Sequence, residues 1–231
     1  MPLAALFPDW AGPVFRYVVE QGLPFTLKIA GTSVVGSAVI GIVLGTLLTM
    51  RFLPLRALIR LYIEVWRGLP LIVTLFLIVY ALPQTTFHLT FRPWVGAAIG
   101  LTLWGSSQVA EATRGAVESI PREQHEAASA LGFGWVARHV HIVLPQALRR
   151  LLPPLVSLLV NVIQNTTLAA LVGVTEVLFA AKQQVERLAA PPPAGLLQQH
   201  GFAIYGAVLV FFFVVSFPLT RLAAYLERRL V

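Results

Sequence analysis

The sequence has 231 residues, is 57% hydrophobic and only 12% charged, and has a mean hydropathy of +0.79; a soluble domain carries about 25% charged residues, so an ordinary water-soluble enzyme is excluded and five or so membrane spans of ~20 residues fit the length. The absence of cysteine removes disulfide and thiol chemistry, and the absence of a GxxxxGK[ST] loop removes nucleotide hydrolysis by this chain. A net charge of +7 suggests nucleic acid at first sight, but the arginines lie at the ends of apolar runs, as membrane topology requires.

Residues 1–21 mix apolar groups with Asp9, Trp10, Arg16, Tyr17 and Glu20, and Pro8 and Pro13 interrupt any long helix. This reads as an interfacial segment with Trp10 and Tyr17 at headgroup level. Asp9 and Trp10 fall where a cleavable signal has its basic and apolar regions, so the first span is expected to act as an uncleaved insertion signal. The transmembrane part is expected over 22–231. Its first span, about Leu23 to Met50, carries Gly41-x3-Gly45, a spacing that predicts close packing against another helix. Arg51, Arg56 and Arg60, with Pro54 among them, make a short basic loop. The second span runs from about Leu58 to Leu82. Glu64 and Arg67, three apart near its start, are expected to form a gating or structural ion pair, and Gly68 and Pro70 to bend the backbone.

The outer loop 83–93 contains His88, read as solvated. In the third span, about Trp94 to Thr113, Ser107 shares a face with Glu111 four residues on, as does Gln108 with Glu111 at three. That face cannot meet lipid cheaply and is expected to look toward a partner helix or a water-filled passage. Pro121 to Pro145 is the longest polar passage. Pro121 suits a helix start, Glu123 complements the positive helix end, and Gly132 suits a left-handed cap. A second helix, Trp135 to Leu144, is expected to close at Pro145. His125, His139 and His141 lack metal-ligand spacing and read as surface histidines.

Arg149 and Arg150 mark the return to the bilayer, and the fourth span is about Leu151 to Val174, with Pro153 and Pro154 in its first turn. Asn161, Asn165 and Leu168 lie at i, i+4, i+7, flanked by Gln164 and Thr166. So many polar groups in one span bond either to other helices or to a solute in a translocation path. Residues 176–197 form an outer segment that begins helical and ends in Pro191-Pro192-Pro193. The fifth span is about Phe202 to Leu222, ending at Arg221, Arg228 and Arg229. Eleven of the 17 Lys and Arg fall on one side, five on the other and Arg67 within the second span. The positive-inside rule then places the N-terminus outside, the C-terminus in the cytosol, and the loop 114–150 in the cytosol.

Four segments carry a resemblance. Glu126-Ala127-Ala128, Gly132, Ile142, Leu144 and Pro145 stand in the register EAA-x3-G-x9-I-x-L-P, which resembles the EAA loop of ABC importer permeases. Glu64 to Pro70, together with Glu111 to Gly115 and Ser119-Ile120-Pro121, resembles motifs of the polar amino-acid permease family. Gln164 to Ala169 is similar to a segment of that family that usually begins with lysine. The resemblance implies an all-α integral membrane protein with five transmembrane helices and a type I ABC importer permease-like fold in the bacterial cytoplasmic (inner) membrane. It implies a coupling helix at Pro121 to Leu131, with Glu126, Ala127, Ala128, Gly132 and Pro145 acting on the ATPase. It implies two ATPase subunits, an identical or homologous second permease subunit and an extracytoplasmic amino-acid-binding protein. ATP-Mg would sit on the partner ATPase; no catalytic residue, metal or cofactor is expected in this chain. The competing class is an ion-gradient-driven secondary transporter or channel, which calls for deep ionisable groups and usually an internal repeat. No repeat is found, and most charges lie near span ends.

Overall fold

Eight helices in chain order make up the computed structural model, which describes residues 8–50, 52–85, 89–188 and 200–230. They are α1 (Ala11–Leu47), α2 (Leu53–Gly68), α3 (Leu71–Gln84), α4 (Pro93–Glu118), α5 (Arg122–Ala130), α6 (Trp135–Val172), α7 (Val177–Leu188) and α8 (Gly201–Leu230). No strand occurs among the described residues. Arg51, His88 and the proline run 191–193 lie outside them.

Helices α1, α6 and α8 are each long and apolar enough to cross a membrane, as is the pair α2 and α3 taken together across its 104° bend. The bend falls at Leu69 and Pro70, both with extended ψ, where Gly68 and Pro70 led the sequence to expect it. At 26 residues α4 is also of spanning length. Its seryl and charged residues lower its hydropathy, and it lies at the centre of the bundle, between α1, α3 and α6.

Three helices run on through a proline. Val18–Gly22, Leu77–Ala81 and His139–Val143 are π turns, each ending two residues before a proline: Pro24, Pro83 and Pro145. In each, the next amide donates five residues back, as Leu144 does to the His139 carbonyl. A proline lacks the N–H and its ring crowds the carbonyl four residues earlier; the wider turn makes room for it. Consequently the break expected between 21 and 22 is absent from α1, with Pro13 in the helix's first turn, where no N–H bond is lost. Likewise, Trp135 to Val172 is one 38-residue helix rather than a short helix closed by Pro145 and a separate span from Leu151.

Helices α1 and α4 run parallel along a seam of small residues. Ser33 Oγ donates to the Ala98 carbonyl at 3.2 Å, and farther along Gly41 meets Val109 and Gly45 meets Ala110. A Cβ at Gly45 would stand 2.3 Å from the Ala110 carbonyl oxygen, so only glycine permits this approach. The Gly41-x3-Gly45 spacing does mark a packing face. Ile29, Leu75, Leu101 and Val172 fill the core at one end of the bundle. Val117, Val143, Ala147 and Leu151 fill it at the other.

Candidate coupling and translocation sites

Local chemistry shapes the polar loop. Pro121, with extended ψ, starts α5, and Glu123 lies in its first turn. At the other end, the Phe133 amide donates to the Ala128 carbonyl at 3.0 Å and the Gly132 amide to the Ser129 carbonyl at 3.0 Å. Gly132 itself has φ +81°. This pair of bonds around a left-handed residue is the Schellman end, and it fixes the reversal into α6.

Glu126 and Ala127 are exposed, and Leu131 stands out at 76% exposure; Ala128 faces inward at 1%. Thus Ala128 fits the loop to its own chain, while Glu126, Ala127 and Leu131 present the outer surface. Pro145 sits inside α6 just past its π turn. The histidines correct the surface reading: His141 is exposed and His125 partly so, but His139 is buried at 3%. Its ring stacks on Trp135 at 4.0 Å and lies 6.2 Å from that of His125. His139 Nδ1 is 2.8 Å from the Trp135 carbonyl and Nε2 is 3.2 Å from Thr49 Oγ1. Thr49 follows the end of α1, so one ring joins the loop to two long helices. Burial, with the Arg138 charge as a second cause, holds the His125 imidazole below its ordinary pKa. Trp135 Nε1 and Arg138 Nε are buried without a hydrogen-bond partner among the described residues.

Within the bundle, charge gathers at Glu111. Its Oε1 accepts from Arg114 Nη2 at 2.6 Å and Nε at 3.1 Å, and its Oε2 from Arg60 Nη1 at 3.3 Å. Arg114 also contacts Glu118. The expected Glu64–Arg67 pair does not form: both side chains are exposed at the last turns of α2, and neither joins the ion pairs among the described residues. Arg60, one turn earlier, faces α4 and takes the partner the sequence had given to no one. Arg114, at i+3 from Glu111, was findable from spacing; Arg60, 51 positions away, was not.

The other pathway candidates divide. Ser107 is fully buried and donates to its own helix at the Trp104 carbonyl, 2.6 Å. Thr166 is likewise buried and bonded to the Ile163 carbonyl at 2.7 Å. Gln108 and Asn165 are half-buried, and Asn161 and Gln164 are exposed on one face of α6. Gln164 Nε2 donates to Ser216 Oγ of α8 at 3.2 Å. Outside these sets, the sequence gave no warning of Glu176. It is 0% exposed, and its two oxygens accept from the Leu178 and Phe179 amides at 2.9 and 2.7 Å at the start of α7. No cluster of metal-ligand type occurs among the described residues.

Residues 37–231 match the family described as binding-protein-dependent transport system inner membrane component. The chain is 33% identical over 224 residues to the probable amino-acid ABC transporter permease protein PatM of Vibrio harveyi, covering 94% of this chain and 96% of that one. It is 32% identical over 209 residues to the inner membrane amino-acid ABC transporter permease protein YhdY of Escherichia coli (strain K12), covering 90% of this chain but 55% of YhdY. So the chain spans about half of that second relative's length. The fold is shared with a solved structure described as an amino acid ABC transporter with histidines, at TM-score 0.79 and 24% identity over 97% of this chain and 100% of that one.

Proposed function

The chain belongs to the family of inner membrane components of binding-protein-dependent transport systems, and from this premise we propose that it is the membrane-spanning permease subunit of an ATP-driven importer of polar amino acids. In this reading it crosses the bacterial inner membrane five times, as α1, α2 with α3, α4, α6 and α8. Its N-terminus is outside and its C-terminus in the cytosol, in line with the eleven-to-five charge asymmetry. Amino acids as the substrate class follow the relatives YhdY and PatM, and the polar restriction follows the resemblance of Glu64 to Pro70 and Glu111 to Pro121 to polar amino-acid permease motifs. The chain itself hydrolyses nothing; ATP-Mg belongs to two partner ATPase subunits, a second permease completes the pathway, and a binding protein delivers the solute.

The observation that carries this reading is the loop α5. A short helix with Glu126, Ala127 and Leu131 outward, ended by a left-handed glycine and tied by His139 to α1 and α6, is built to be pushed. Glu126 and Ala127 meet the ATPase, Gly132 sets the reversal, and Ala128 and Pro145 shape the loop from within.

Three measurements test this. Tagged chain taken from its own membrane should bring down an ATP-hydrolysing subunit, and the reconstituted complex should take up polar amino acids only with ATP. In that complex, Gly132→Val should preserve ATP hydrolysis but lower uptake by about tenfold, the factor that ~1–2 kcal/mol of left-handed strain supplies. Uptake driven by an ion gradient without ATP would overturn the assignment.

A further inference from the structure

We propose that α2 is a hinged strut, latched to α4 by Arg60 on Glu111 and released from it during the transport cycle. This rests on the importer reading for its cycle, but the latch itself rests on the geometry below.

The strut is jointed at both ends. At its start, Phe52 is extended with φ −77° and ψ 102°. At its end, Leu69 (φ −81°, ψ 136°) and Pro70 (φ −59°, ψ 128°) turn the chain by 104° into α3. Gly68, beside that corner, has open space where a side chain would go. Between the joints, α2 is a regular 16-residue helix that can move as one body.

Its attachments to α4 share a property. Arg60 Nη1 reaches Glu111 Oε2 at 3.3 Å, and Tyr62 OH is 2.7 Å from Ser106 Oγ. On the α4 side each group already has a partner in its own helix. Arg114 grips Glu111 Oε1 through two nitrogens, at 2.6 and 3.1 Å. Ser106 Oγ lies 3.1 Å from the Leu103 carbonyl. If α2 departs, no charge or hydroxyl on α4 is orphaned, which is the costly part of breaking a polar contact. On the strut side, the Arg60 side chain is 42% exposed and rehydrates readily. The remaining contact is apolar, with Ile59 and Ile63 of α2 in one buried cluster with Leu48 and Ala110. A joint meant to stay closed would make each partner depend on the other. Here α4 is satisfied with or without the strut.

The chain has no cysteine, so spin labels at Leu58→Cys, 65% exposed on α2, and Gly115→Cys, in open space on α4, are unique in it. Pulsed electron resonance on the complex with its partner subunits, in lipid discs, reads the distance between them. We expect one dominant distance at rest and a second population after trapping with ATP and vanadate. Arg60→Gln should raise that second population by at least about threefold without nucleotide, as loss of an exposed ion pair allows. Arg60→Lys and Arg56→Gln should leave the resting distribution unchanged. Superimposable distributions for wild type and Arg60→Gln would overturn the latch. A single distance in both nucleotide states would overturn release. The Arg60→Gln comparison needs no ATP, so it decides the latch even if wild-type proteoliposomes show no ATP-driven uptake, a result that would count against the importer reading instead.

Discussion

Glu176 buries a carboxyl completely and aims both oxygens at the first amides of α7. Burial pushes its pKa up from 4.5 to about 7, and the two amide bonds only partly oppose this. The unfolded chain therefore releases this proton at lower pH than the folded one does. The contribution is fully present below 4.5 and is lost as pH rises through about 7. Thermal unfolding of the detergent-solubilised protein should show stability falling across that window with a slope approaching one proton, about 1.4 kcal/mol per pH unit. Glu176→Gln should flatten that slope; an unchanged slope would assign it to another group. Residues of this kind mark where sequence reading runs short. Glu176 looked like the ordinary start of a solvated outer helix, because the chain packed against it, Gly22 and Thr26 beside the Glu176–Val177 backbone, lies about 150 positions away in sequence. The same holds for His139, which meets Thr49, 90 positions earlier in the chain. Gly132 was legible, since a left-handed helix end is a local event.

Elements were read well where their signals were apolar and badly where prolines intervened. Proline interrupts an ideal α-helix, so α1 was divided between residues 21 and 22, after Pro13, and α6 at Pro145; the chain instead keeps each continuous, inserting a π turn before Pro24 and Pro145. No residue type announces a π turn, so that solution is invisible in the sequence. The seam between α1 and α4 was visible on one side only, as Gly41 and Gly45. It yields a firm expectation: Gly45→Leu places side-chain atoms where the Ala110 carbonyl stands and must part the two helices. Overpacking of this sort costs ~1–3 kcal/mol or more. The variant should lose several degrees in thermal unfolding, whereas Gly31→Leu on the same helix, with open space around it, should not.

For the whole molecule, the telling surface is the exposed face of α6, where Ser157, Asn161 and Gln164 recur at helical spacing. Amides there are costly against lipid, so this face is expected to meet water or protein rather than acyl chains. Asn161→Leu should alter the apparent affinity or selectivity of uptake while the complex still assembles. Unchanged kinetics would reduce the stripe to packing. Gln164→Leu also removes the bond to Ser216 and should loosen α6 from α8. The class of the molecule and its EAA loop were evident from composition and register. The placement of α4 at the centre was not, because a helix surrounded by protein has no need to be uniformly apolar.

The unbroken course of α6 has one more implication. At about 1.5 Å per residue, 38 residues reach beyond 50 Å. The helix stays continuous through the π turn at His139–Val143, the prolines Pro153 and Pro154 and the 3-10 end at Thr166–Val172, so a push beside Trp135 is passed along one element. It must reappear beyond Val172, beside α7. The loop beside Trp135 and the far rim beside α7 are thus linked by a single helix.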